Sequence, residues 1–311
     1  MTGLGVSLMT AEFDDPRSLV ALGLELEDAG IDHLFVTESR NDVLTLLAAL
    51  AVRTRRATIG SAIAVIYHRH PYILAAAAAQ IDRLSGERLI LGIGTGHRAG
   101  VETLLHLDWG DAPARLRAYL AALRASLDAD GPINHPSAQF PIGPISLFYP
   151  PRRRLPIVLA ALTTGTVRLA GQLGDGIITS LATLDQVRRF RTLLETSARE
   201  AGRDPSALRV LSVVHVCLRP SRAEAREVAR HGLGYARLPF YQRQFAREGL
   251  PQFEGPAPDE VLDAVAICGP IDYARERLAA LREAGVDIPL LAPVASEPNR
   301  AEAYRRFTQL V

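Results

Sequence analysis

The sequence predicts a TIM-type (β/α)8 barrel with insertions, and three observations carry that prediction. About eight apolar, strand-like runs alternate with helix-period segments along a chain of 311 residues. The strand-like runs are continuously apolar, as parallel strands covered on both faces require. A junction also recurs. LELEDAGIDHLFV, LAGQLGDGIIT and LAALREAGVDIPLL each close a helix on glycine and enter a strand, which suits a left-handed helix cap. An open doubly wound sheet is the alternative, and length and unit count favour the barrel.

The elements follow in order. GLGVSLM is the first strand, and Asp14, Asp15 and Pro16 are residues that start helices. SLVALGLELEDAG is helical, IDHLFVTES is the second strand and DVLTLLAALAVRT is helical. ATIGSAIAVI is the third strand, YILAAAAAQIDRLSG a helix and RLILGIG the fourth strand. After Pro113 the helix ARLRAYLAALRASL closes the first half. Residues 130–154 are rich in Pro and Gly and read as a long connection, not a domain linker.

The alternation then resumes with LPIVLAAL, TVRLAGQLG, DGIITS, LDQVRRFRTLLETSAREAG and LRVLSVVHVCL. A helix starts at Ser221, and residues 238–258 read as an insertion. Helices DEVLDAVAIC and IDYARERLAALREAG lead to the last strand, VDIPLLAPV, and a final helix, AEAYRRFTQL. The chain, 1–311, is read as one domain.

Composition excludes several functions. The net charge is +1, which gives no broad attraction to nucleic acid or to acidic membranes. All 35 basic residues are Arg, so neither a Schiff-base lysine nor a P-loop lysine is available. Cys217 and Cys268 lie in apolar contexts and read as reduced core thiols, not a disulfide or zinc cluster. The N-terminus lacks the pattern of a signal peptide, and no apolar stretch is long enough to span a membrane. A soluble, cytoplasmic protein acting on a small molecule is expected.

Candidate chemistry gathers at strand ends. LGIGTGH, residues 91–97, lacks the third glycine of a dinucleotide fingerprint and follows the fourth strand, not the first. In a barrel, Gly94, Thr95 and Gly96 fall at a C-terminal strand end, where active sites form. Small residues there let a flat ring approach the backbone; the bland reading is a tight turn. HRH at residues 68–70 is weighed as a metal pair and set aside, because no nearby carboxylate completes a ligand set. His70 and Pro71 read instead as a helix start, and no metal is expected. Glu38 ends the second strand, where a carboxylate points into the barrel mouth as an acid/base group or as an N-cap partner. His215 reads as a satisfied core histidine, and Arg152, Arg153 and Arg154 as a solvated loop.

GIDHLFVTES, IGSAIAVIYHRHP, LSGERLILGIGTGH, LPIVLAALTTGTVRLAGQLGDGII and the closing AGVD, in that order and spacing, carry a family resemblance. The chain resembles the bacterial luciferase-like oxidoreductases, in particular their deazaflavin (coenzyme F420)-dependent branch and the methylenetetrahydromethanopterin reductases. The resemblance implies a barrel with an insertion, a homodimer, and a deazaflavin or FMN lying across the strand C-termini. It implies a bulge in the third strand with a non-prolyl cis peptide under the ring. Spacing back from GTG puts that bond at Ser61–Ala62 to within one residue, with Ser61, Ala62, Ile63, Thr95 and Gly96 around the ring. It also implies that the cofactor phosphate sits on the turn Ala161, Leu162, Thr163 and Thr164, where a helix start and two hydroxyls suit an anion.

The chain departs from the family at three places. Glu38-Ser39 stands where many deazaflavin-dependent relatives have Asp-His. His97 stands where many have an acidic residue, and Thr183 stands at one place where relatives use Lys against the cofactor phosphate or its anionic tail. The resemblance therefore implies hydride transfer between F420 and a substrate with a C=N, C=C or C–OH group, with His97 ranked ahead of Glu38 for the proton. An FMN-dependent monooxygenase is the runner-up, and a barrel that only binds a ligand is the alternative of another class.

Overall fold

The computed structural model describes residues 3–10 and 13–311. Its first half comprises β1 (Gly5–Leu8), α1 (Pro16–Asp28), β2 (His33–Val36), α2 (Val43–Arg53), β3 (Thr58–Ser61), β4 (Ala64–Val65), α3 (Pro71–Ser85), β5 (Leu89–Gly94) and α4 (Ala112–Leu127). A two-stranded antiparallel hairpin, β6 (Ile133–His135) and β7 (Ile142–Ile145), lies within the 130–154 connection. The second half comprises β8 (Ile157–Ala160), α5 (Thr164–Leu173), β9 (Gly176–Ser180), α6 (Leu184–Glu200), β10 (Arg209–Leu218), α7 (Arg222–Ala229), α8 (Pro239–Arg247), α9 (Asp259–Val265), β11 (Ala266–Gly269), α10 (Ile271–Glu283), β12 (Ile288–Pro293) and α11 (Arg300–Arg306).

The main sheet is parallel and closed. It runs β10–β12–β1–β2–β3–β5–β8–β9, and β9 pairs back onto β10 to complete the barrel. The predicted (β/α)8 barrel is therefore the fold. Its interior is plugged by Phe35, Ile90, Val158, Ile178, Leu211, Ile288 and Leu290, one packed core and not a pore. Gly60 shows why the third strand is built from small residues: a Cβ there would sit 2.3 Å from the Phe35 ring. The outer faces of the strands pack on the helices in a second, larger core.

The helices start where local chemistry says they should. Asp15, Asp42, His70, Asp111, Thr163, Thr183 and Ser221 each accept a backbone N–H from the first turn they open. A side chain of this kind contributes about 1 kcal/mol by satisfying an otherwise orphaned donor. His70 belongs to this set, its Nδ1 accepting from Tyr72 N at 3.2 Å. Gly30 and Gly285 follow their helices with positive φ, as the recurring junction predicts, whereas Gly174 caps α5 in an extended conformation.

Two other expectations need correction. DEVLDAVAIC is helical only to Val265; its end forms β11, which pairs with His215–Leu218 where β10 outruns β9. In the arginine run Arg152 is exposed as expected, whereas Arg153 and Arg154 are tied down. Arg153 bonds the buried Asp82 at 2.9 Å, and Arg154 reaches Asp128 at 2.6 Å. These pairs tie the long connection to the barrel's N-terminal side.

Candidate active site

The third barrel strand is interrupted where the resemblance places a bulge. β3 pairs with β5 at Gly60↔Ile90, and β4 resumes at Ala64↔Ile93, so one extra residue sits between them. The non-prolyl cis peptide is Ala62–Ile63, one residue beyond the Ser61–Ala62 position. Ser61 itself is fully buried. Its hydroxyl donates to Gly92 O at 2.7 Å and accepts from Gly92 N at 3.0 Å, so it stitches two strands and does not face the mouth.

Above the interior plug lies a shelf. Ala62, Ile63, Ala160 and Val213 cap the plug and remain partly exposed. Gly94 completes it, because a Cβ there would lie 2.8 Å from Ala160 Cβ and 3.1 Å from Ile63 Cδ1. Apolar, built from small side chains and at the C-terminal end of the strands, this surface suits one face of an aromatic ring system. Next to it Gly96 turns the chain at φ +68°, a conformation that favours glycine, and Thr95 is half-buried.

One side of the shelf ends at the start of α5. Thr163 Oγ1 accepts from Thr166 N at 3.3 Å and lies 3.1 Å from Thr166 Oγ1. Thr164 and Gly165, the first two residues of the helix, are exposed, and the amides of a first helical turn point out along the axis. An anion such as a phosphate fits there without a lysine. Leu162, Thr163 and Thr164 are placed for this. Ala161 is not, since it is buried and its N–H already donates to Ile178 O at 3.0 Å.

His97 stands at the rim, just past the GTG turn. Its ring stacks on Tyr235 at 5.5 Å between centroids and meets Tyr241 at 6.3 Å. His97 remains exposed on one side, and partial desolvation of its ring lowers its pKa, which favours the neutral form. Tyr241 is hydrogen-bonded to Ser180 at the end of β9, and burial pushes its hydroxyl up to about 12. Through Tyr241 the second insertion, residues 238–258, thus folds back over the mouth.

Of the two readings of Glu38, the structure favours the helix-start partner: its Oε1 accepts from Val43 N, the first residue of α2, at 3.4 Å. Its side chain is fully buried and turned toward the loop after β4, not into the mouth. It accepts from Val65 N at 2.6 Å and pairs with Arg69, while His68 Nδ1 lies 3.1 Å away. Burial alone would raise the carboxyl. The hydrogen bonds from His68, Arg69 and Val65, with the charge of Arg69, outweigh it and hold the pKa to about 2. So strongly held a carboxylate suits a clamp and not a proton donor. The signal for it was the adjacent HRH, read only as a turn.

Among the described residues, Ser7 Oγ, His33 Nδ1 and His215 Nδ1 are buried polar atoms of the barrel strands without a partner. His215 is buried, with Nδ1 unpaired, while its ring bonds the Pro293 carbonyl. It is therefore satisfied at one nitrogen only. Burial lowers its pKa to about 4, so it is neutral. Among the described residues no group of three His, Cys, Asp or Glu is placed to hold a metal, and no helix is long and apolar enough to cross a membrane.

Comparison with known proteins bears on this geometry. A 5,10-methylenetetrahydromethanopterin reductase of Archaeoglobus fulgidus is 25% identical, covering 84% of this chain and 84% of the relative. The structure of the coenzyme F420-dependent tetrahydromethanopterin reductase from Methanopyrus kandleri superposes with a TM-score of 0.87 at 19% identity, over 100% of this chain and 98% of that one. The oxygenating constituent of 3,6-diketocamphane monooxygenase from Pseudomonas putida, in complex with FMN, superposes with a TM-score of 0.75 at 18% identity, over 99% and 95% of the two chains. The family model for luciferase-like monooxygenases matches residues 1–288. With that match and a barrel mouth built as described, the chain belongs to the luciferase-like monooxygenase family.

Proposed function

We propose that the protein is an F420-dependent oxidoreductase acting on a small organic substrate that carries a C=N, C=C or C–OH group. The observation that carries this reading is the shelf of Ala62, Ile63, Ala160 and Val213, which runs toward the open start of α5. A tricyclic ring fits the shelf, and a phosphate fits at Leu162, Thr163 and Thr164. The F420-dependent activity named for the relatives points the same way. When bound, the deazaflavin supplies or accepts a hydride.

The chain's own residues do the rest. Ala62, Ile63, Gly94 and Ala160 orient the ring face; Thr95 and Gly96 line its edge. Tyr235 and Tyr241 wall one side of the rim beside His97. His97, neutral at pH 7, holds a lone pair for a proton that leaves or joins the substrate. Glu38 clamps the β4 loop and so keeps the shelf in place. A homodimer belongs with this reading and is checked by light scattering.

A flavin shares the tricyclic shape, and the family's name includes monooxygenases, so an FMN-dependent monooxygenase is the second reading. Fluorescence-quenching titrations of the apoprotein with F420 and with FMN separate the two. Tighter binding of F420 supports the first reading and tighter binding of FMN the second. Failure of both at micromolar concentration would leave a barrel that binds some other ligand.

A further inference from the structure

Ser180 ends β9 at the barrel mouth. Two residues earlier Ile178 belongs to the interior plug, so strand alternation turns Ser180 inward as well. Ser180 pairs in register with Val213, a residue of the shelf, and it is half-buried where Ile178 is buried. Leu181 follows at φ +52°, a left-handed conformation that a bulky side chain disfavours. Such a backbone persists only where its surroundings hold it, and outliers of this kind gather at functional sites.

Helix α8 does the holding. Gln244 Nε2 donates to Leu181 O at 3.0 Å and to Gln186 Oε1 at 2.8 Å. Thr183 Oγ1 donates to Glu248 Oε2 at 3.0 Å. The third contact is Tyr241 on Ser180. Residues 241, 244 and 248 share one helix face, so α8 is fixed along its length against the end of β9. The Tyr241 residue is only 6% exposed, and its hydroxyl proton would be orphaned unless Ser180 accepted it. Ser180 then accepts, and its own proton is free to turn into the mouth. The Tyr241 ring also meets His97, so one residue touches both the hydroxyl and the imidazole at the rim.

We propose that Ser180 is a further substrate-binding residue: its hydroxyl, oriented by Tyr241, donates to the reacting oxygen of an alcohol or of the matching ketone. Tyr241 is a positioning residue that acts through Ser180. This narrows the three substrate groups to one. A C=C bond has no lone pair for Ser180. A C=N nitrogen has one and loses it when protonated. An alcohol oxygen accepts from Ser180 and still has a proton to donate to His97. The inference rests on the F420 reading of the shelf, because Val213 places Ser180 beside the ring.

Cyclohexanone labelled with carbon-13 at the carbonyl is the probe, and cyclohexene is its control. Both are titrated by calorimetry into wild type, Ser180→Ala, Ser180→Thr and Tyr241→Phe, each as apoprotein and with F420 saturating. The carbonyl stretch of the bound ketone is recorded by infrared spectroscopy. In wild type it should lie below its value in hexane, because a donated hydrogen bond weakens the C=O bond. Ser180→Ala should raise it again and weaken ketone binding about five- to tenfold, with cyclohexene unaffected. Ser180→Thr should restore both. Tyr241→Phe keeps the ring that meets His97 and should move the stretch part of the way back. A stretch that is the same in wild type and Ser180→Ala, an equal loss for both ligands, or no ketone binding at millimolar concentration overturns the proposal. F420 quenching is read separately. Its absence counts against the shelf reading, whereas normal quenching without a carbonyl shift counts against the role of Ser180 alone.

Discussion

Glu38 and Arg69 form a buried ion pair that joins the end of the second barrel strand to the loop after the third, with side chains 0% and 11% exposed. Tyr119 adds a hydrogen bond to Arg69 O at 3.0 Å, so the loop is held from both sides. The shelf residues Ala62 and Ile63 lie immediately before this clamp. The pair therefore braces the loop that follows the surface on which a ring would rest.

Removing one partner leaves a buried charge uncompensated. Glu38→Gln should destabilise the protein by about 3–5 kcal/mol, read from chemical denaturation. The pH dependence has a definite sign. The folded-state pKa of about 2 lies below the ordinary 4.5, so the clamp's contribution is fully present above pH 4.5 and is lost as pH falls toward 2. Wild type should lose stability across that window, and Glu38→Gln should be flatter there. An unchanged acid limb in the variant would show that the carboxylate is not the group responsible.

His97→Ala should lower turnover roughly 10²–10³-fold while changing F420 affinity little. Because the imidazole is neutral above its lowered pKa, the wild-type rate should be level above pH 6.5 and fall only as pH drops well below it. A variant with full turnover would remove His97 from the proton's path.

Much of this was legible in the sequence, and the misses share a cause. Strand order, helix starts and the glycine-lined strand ends are written in local patterns, periodicity and capping residues that act over a few positions. The clamp joins residues 31 apart, and the bond from Thr183, the cap of α6, to Glu248 joins residues 65 apart. Such pairings depend on which loops meet at the mouth, and loop paths are not encoded in periodicity. Ser61 and Ala161 were assigned to the cofactor because they lie in the right stretches, yet strand bonds consume their polar groups. The cis peptide was placed one residue early, since counting back from GTG cannot locate the extra residue of a bulge.

Thr163→Val removes both the α5 cap and a hydroxyl for the phosphate. F420 affinity should fall about five- to tenfold, while a deazaflavin head group lacking the phosphate should bind as it does to wild type. Equal loss for both ligands would mean that the variant merely loosens the helix.

Ala160→Leu raises a side chain from the middle of the shelf without touching a polar contact. F420 quenching should weaken at least about a hundredfold, with far-ultraviolet circular dichroism unchanged. Undiminished affinity would place the ring elsewhere.

The most direct measurement is a crystal structure of the protein soaked with F420. The shelf reading predicts the deazaflavin ring lying against Ala62, Ile63 and Ala160, its phosphate at Leu162–Thr164, and His97 beside the open face of the ring. Binding with the ring away from this shelf, or with the phosphate away from the start of α5, would contradict it.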